Sequence, residues 1–210
     1  LKYYMLKGYA VNQKRLEYLE KTIKLIDIAN RIDERLEGND AKEILKVIGG
    51  YSKALDLLDD YDHQCLVKPK GNETLYKLSY SDCKIIIDSM KFKNMSSVFG
   101  VEKENGKLEG ILAAIYQNIF GLEVYPSLEE KAAHLLYFIV KDHPFIDGCK
   151  RIAATLFLEF LNRNHALIKN GKIIISNDTL VAITVLTAES NPEEKEVIIK
   201  LIMNFLSKEN

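Results

Sequence analysis

Apolar positions recur at helical spacing along most of this 210-residue chain, and the pattern breaks at a few well-marked places. From about Gln13 to Glu37, Leu16, Leu19, Ile23 and Ile26 form one stripe, and Leu25, Ile28, Ile32 and Leu36 form a second beside it. That is the period of an amphipathic helix. Gly38-Asn39-Asp40 closes it, with Gly38 suited to the residue after the helix and Asp40 to capping the next one. The second helix carries Ile44, Leu45, Ile48, Leu55 and Leu58 and is expected to end before His63. So broad an apolar face needs cover, from its neighbour or from a second copy of the chain, and a homodimer through these helices is therefore an expectation. Cys65 to Asn72, punctuated by Pro69 and Gly71, reads as a linker. It separates an N-terminal helical region (1–64) from a catalytic domain (73–210).

Beyond the linker, Ser81 or Asp82 can cap a helix running to Met90, or Ile85-Ile86-Ile87 can form a short strand; periodicity leaves both open. Val98 to Leu108, with Asn105-Gly106 between apolar flanks, predicts a β-hairpin. Leu108 to Phe120 reads as a helix. Ser127 and Glu130 have capping-box spacing ahead of Leu128, Ala132, Leu135, Leu136 and Ile139, a core stripe. From Ile152 through Leu161 the next segment is apolar almost all round, so it belongs in the middle of a bundle. Asn191-Pro192-Glu193-Glu194 opens the last helix. No internal repeat is evident. The fold class is all-α, a helical bundle with a small β-hairpin, preceded by an α-helical hairpin.

Composition changes this picture little. Hydrophobic residues make up 47% of the chain, enough for a core, and 29 basic residues balance 30 acidic ones. No global positive field favours nucleic acid, so no contact with it is expected. No apolar run approaches the roughly 20 residues of a membrane span, and no signal-peptide pattern opens the chain. Cys65, Cys83 and Cys149 are an odd, unpaired set, which points to a reducing compartment, with the cytoplasm as the expected location. The first residue is Leu1 rather than methionine, so a piece of a longer protein is expected. His63, His134 and His165 lack partners at metal-ligand spacing and read as structural.

The chemistry concentrates in His143-Pro144-Phe145-Ile146-Asp147-Gly148-Cys149-Lys150-Arg151. A helix is expected to begin at or near Gly148, and its first free amides form a ready anion site. Gly148, Cys149 and Lys150 would offer backbone N–H groups as a small nest, and Gly148 lets the backbone come close to a phosphate. Arg151 adds a planar cation. His143 is the candidate general base, with an ordinary pKa near ~6.5 suited to taking a hydroxyl proton. Asp147 suits Mg²⁺, which needs only one or two carboxylates besides phosphate oxygens and water; the competing role for Asp147 is as helix N-cap. Phosphoryl or nucleotidyl transfer to a hydroxyl is the reaction class these residues point to.

The segment resembles the Fic/Doc signature, His-x-Phe-x-Asp/Glu-Gly-Asn-Gly/Lys-Arg, at His143, Phe145, Asp147, Gly148, Lys150 and Arg151, with the frequent Pro144. Tyr125 to Ala133 is similar to the helix that leads into it. Lys2 to Tyr9 resembles the end of the RhuM-type region found before some Fic domains. The resemblance implies a protein-modifying transferase that moves AMP from ATP, with Mg²⁺, to a Ser, Thr or Tyr hydroxyl of a protein target. It also implies that the 98–108 hairpin is a flap holding the target as an added strand, through Phe99, Gly100, Val101 and Leu108. Three positions depart from the AMP-transferring pattern. Lys150 stands where those enzymes have glycine and is shared with Doc toxins, which transfer phosphate. Ala154 falls where a second arginine is expected. Cys149 replaces the asparagine, a thiol for a carboxamide, and the loss of one such donor can cost about 10²–10³ in rate. A catalytically silent nucleotide- or protein-binding relic is the further alternative. The nearest match to the family's inhibitory motif is Asp33 to Gly38.

Overall fold

The computed structural model describes residues 54, 56–91 and 96–207. The expectations for the first two helices, their dimerising face, the RhuM-like opening and the Asp33 to Gly38 motif lie outside the described residues, apart from a helical stretch at 56–62 that stops before His63. Residues from Val67 onward form one compact unit. Its elements in order are α1 (Tyr80–Ser89), α2 (Lys107–Ile115), β1 (Asn118–Ile119), β2 (Leu122–Glu123), α3 (Leu128–Asp142), α4 (Cys149–Arg163), β3 (Ile168–Lys169), β4 (Lys172–Ile173), α5 (Asn177–Glu189), and a 3₁₀ turn (Pro192–Glu194) leading into α6 (Lys195–Ser207). The fold is mostly α, with two antiparallel hairpins of two residues a strand.

α3 and α4 pack on each other at the centre, and α3 also meets α2, α5 and α6. Both apolar stripes behave as expected. Leu128, Ala132, Leu135, Leu136 and Ile139 are buried on α3, and Ile152, Ala153, Leu156, Phe157, Phe160 and Leu161 are buried on α4. A central helix so enclosed cannot swing, so the start of α4 is a fixed platform.

The α1 ambiguity resolves as helix, capped by Ser79, two residues before the first of the expected positions. Ser79 accepts from Asp82 N–H, and the Asp82 carboxylate accepts from Ser79 N–H at 2.9 Å. Ser127 likewise caps α3 by accepting from Glu130 N–H at 3.2 Å. The reciprocal half of that expected box is missing, because the Glu130 carboxylate is taken by Lys68 at 2.5 Å. The end of the expected linker and the residues just beyond it are fastened down. Asn72 donates its N–H and its amide to the buried Glu129 carboxylate at 2.8 and 2.6 Å, and Asn164 Oδ1 accepts from Leu75 and Tyr76 N–H.

The hairpins are not where the sequence placed one. The 98–108 hairpin does not form: Gly106, at φ 86, is the N-cap of α2 instead. The helix expected to reach Phe120 stops at Ile115, and the chain turns at Phe120-Gly121 (φ 52 and 86). A second turn follows at Asn170-Gly171 (φ 51 and 75). Positive φ at both central residues is the type I′ geometry that matches strand twist. Each hairpin leads to a serine-capped helix, Ser127 before α3 and Ser176 before α5, so one local unit occurs twice.

His134 is 3% exposed on α3, stacked on Tyr125 with ring centroids 3.7 Å apart. Burial holds its pKa down to about 4, against the opposing hydrogen bond to the Glu130 carbonyl, and the charges of Lys195 and Lys68 add to the lowering. Below about pH 6.5 the unfolded chain takes a proton that the folded chain refuses. The contribution is therefore complete above that pH and is lost as pH falls toward 4, by about 3 kcal/mol. Urea unfolding across this range should show a flatter pH dependence in His134→Phe, which keeps the stacking. Parallel curves for the two proteins would show that His134 is not the titrating group.

Candidate active site

The loop 143–148 joins α3 to α4, and its shape follows from three residues. His143 closes α3 in the left-handed conformation (φ 45), with its side chain exposed. Pro144 and Phe145 turn inward, Phe145 into the core at 1% exposure, which anchors the loop. Gly148 then caps α4 at φ 92.

The residues of the expected flap run beside this loop. Gly100 N–H donates to Asp147 O at 3.1 Å, Ile146 N–H to Val101 O at 2.9 Å, and Lys103 N–H to Pro144 O at 2.8 Å. Of the four residues named for target binding, Phe99 and Leu108 lie in the core at 0% exposure. Gly100 has a left-handed φ of 67, with Ile87 against the place of a side chain. Val101 alone reaches the surface, at 41%. The segment is thus a strap that braces the loop.

Gly148 has a requirement that the sequence did not reveal. A Cβ there would lie 2.3 Å from Cε2 of Phe99, so the buried ring fills the space that a side chain would need. The same ring carries the Arg151 guanidinium at 4.8 Å from its centroid, a cation–π contact. Phe99 therefore sets both the helix start and the direction of Arg151.

Asp147 does not cap α4, which has no side-chain cap. Its half-exposed carboxylate faces Arg151 Nη2 at 3.4 Å, a loose pair open to solvent. The amides of Cys149, Lys150 and Arg151 precede the first helical hydrogen bond, from Ile152 N–H to Gly148 O at 2.9 Å. Cys149 Sγ points back and donates to Phe145 O at 3.2 Å. The thiol thus ties the loop, while the backbone N–H groups remain for an anion. Lys150 and Arg151 are exposed.

These groups line one open hollow of about 450 Å³: His143, Asp147, Gly148, Cys149, Lys150 and Arg151, together with Phe145, Ile146 and Lys103. All six residues expected at the catalytic, nucleotide and metal positions are brought together. Lys103 joins them from outside the signature, between Glu102 and Glu104, where no motif marks it in the sequence. Among the described residues no group of three or more His, Cys, Asp or Glu side chains could hold a metal. A metal here would rest on Asp147 and on oxygens of its substrate, which suits Mg²⁺. No helix of the described residues is long and apolar enough to cross a membrane.

Outside this hollow, the described residues form a larger polar cluster that the sequence did not signal. Arg163 donates to Tyr76 OH and Asp82 Oδ1, both at 2.8 Å, and to Glu159 at 2.8 Å, tying α4 to α1. Hydrogen bonds from Ser79, then from Arg163, hold the Asp82 carboxyl well below the usual carboxylate range. The part-burial of this pair and the intrahelical pairing of Arg163 with Glu159 mark the cluster as a clamp for the platform.

Comparison with known proteins converges on the same region. The profile of the Fic/DOC family matches residues 77–161, from α1 to the end of the buried stripe on α4. A protein named Toxin Doc from Mycolicibacterium smegmatis is 35% identical over 72 residues, which is 33% of this chain and 55% of that protein. The chain thus spans about half the length of that curated relative. No solved structure matches it significantly. Through residues 77–161, the segment that builds the hollow, this chain is thus similar to the Fic/DOC family.

Proposed function

We propose that this protein moves a phosphorus-bearing group from ATP to the hydroxyl of a Ser, Thr or Tyr on a protein target. The observation that carries the reading is a single hollow with an imidazole at one end of a braced loop and an uncapped, cation-flanked helix start at the other. The loose Asp147–Arg151 pair leaves a carboxylate at the rim.

In this reading the phosphate chain lies on the amides of Cys149 to Arg151, with Lys150 and Arg151 balancing its charge. His143 takes the proton as the hydroxyl oxygen attacks phosphorus, and the proton later passes to solvent. The bond broken decides the product. Attack at the α-phosphorus gives an AMP-modified protein and pyrophosphate; attack at the γ-phosphorus gives a phosphoprotein and ADP. Mg²⁺, when bound through Asp147, supplies charge neutralisation at the phosphate oxygens.

AMP is the group that the signature resemblance implies. Phosphate is the second reading, favoured by Lys150 in the first turn, by Ala154 where a second cation is expected, and by similarity to a protein named Toxin Doc. Asp147→Ala should weaken magnesium-dependent ATP binding by about 10-fold or more, the worth of a lost charge-assisted contact. Calorimetry with and without Mg²⁺ reads this directly. Equal affinity in wild type and variant would remove Asp147 from the metal position.

A further inference from the structure

We infer that Lys103, from the strap and outside the signature, is a third phosphate-binding cation, set at the His143 end of the hollow, with the α4 start at the other end of the loop. The inference rests on the reading above. Lys103 lines the same hollow as His143, Lys150 and Arg151. Its backbone is fixed, because Lys103 N–H donates to Pro144 O at 2.8 Å, next to His143. Its side chain is exposed.

The acids that would ordinarily neutralise it are engaged elsewhere. Glu102 accepts from Tyr80 OH at 2.6 Å and from Leu108 N–H at 3.2 Å. Glu104 pairs with Lys107 at 3.0 Å. Asp147, across the loop, faces Arg151. Among the described residues Lys103 forms no ion pair, and it lines a hollow whose other two cations, Lys150 and Arg151, sit on α4. A cation at the His143 end of the loop, with a cation-flanked helix start at its other end, makes a two-sided clamp. Such a clamp distinguishes a phosphate chain from a single phosphate, because only a chain can touch both sides at once. Lys103 therefore selects for nucleoside triphosphate over monophosphate.

The test compares ATP and AMP binding, by calorimetry with Mg²⁺, in wild type, Lys103→Gln and Lys172→Gln. Lys172 lies on the β3–β4 hairpin, beyond the far end of α4, and its variant removes the same charge at a distance. Lys103→Gln should weaken ATP by about 10-fold, as for loss of one charged contact, and leave AMP within about twofold. Lys172→Gln should change neither. Wild-type binding of ATP with Lys103→Gln indistinguishable from it would overturn the role of Lys103 alone. Equal weakening by Lys103→Gln and Lys172→Gln would also overturn it, in favour of a general charge effect. Wild type that binds no ATP would overturn the nucleotide reading and, with it, this inference.

Discussion

Gly148→Ala should destabilise the protein by about 3 kcal/mol or more, out of proportion to the addition of one methyl group. Two costs act together. An alanine at φ 92 is strained by about 1–2 kcal/mol. Its Cβ would also lie 2.3 Å from the ring of Phe99, which is fully buried and cannot retreat without disturbing the core. Overpacking of this kind costs about 1–3 kcal/mol. The ring is one neighbour and the strain is local, so a double-mutant cycle separates them. Phe99→Leu alone creates a void, but Gly148→Ala in that background should cost at least 1 kcal/mol less than in wild type. Urea denaturation followed by circular dichroism measures all four proteins. Additive costs would mean that Phe99 does not hold the helix start in place.

His143→Asn should lower the turnover rate by about 10²–10⁴, the range for removing a general base, while ATP affinity stays within about threefold. Asparagine is chosen over alanine for a structural reason. His143 occupies a left-handed position at the end of α3, where Asn is tolerated and Ala is strained. His143→Ala thus mixes loss of a base with loss of a cap, and comparing the two variants separates those effects. A base acts on the transition state, so binding survives its removal. Parallel loss of affinity and rate in the Asn variant would make His143 a structural residue.

The helices were legible because their signals are local. The buried stripes of α3 and α4 were read position by position, and the serine and proline caps set helix starts to within about two residues. The same Asn-Gly dipeptide shows where local reading stops. At Asn170-Gly171 the flanks Leu167-Ile168 and Ile173-Ile174 can pair across the turn, and a hairpin forms. At Asn105-Gly106 the preceding residues are claimed instead by the 143–148 loop, about 40 residues away in sequence, and Gly106 starts a helix. The signature residues could be named from their order alone. Their supports could not. Phe99 under Gly148 and Arg151, Lys103 over the hollow, and Glu102 held between Tyr80 and Leu108 are all long-range contacts without a fixed spacing. Cys149 read as a lost ligand donor, whereas its thiol donates into the loop at Phe145 O.

Transfer to a protein hydroxyl in this hollow, with His143 as base, is tested most directly by following the label from ATP. Wild type and His143→Asn are each incubated with Mg²⁺ and ATP labelled separately at the α- and γ-phosphates, in a mixture of cellular proteins, followed by mass spectrometry. Wild type should place label from one position on a Ser, Thr or Tyr oxygen, and the variant at least about 100-fold less. An α-label would identify AMP transfer, and a γ-label phosphate transfer. Label that appears equally with both proteins, or ATP that binds in the hollow of wild type without label reaching any hydroxyl, would contradict transfer with His143 as base.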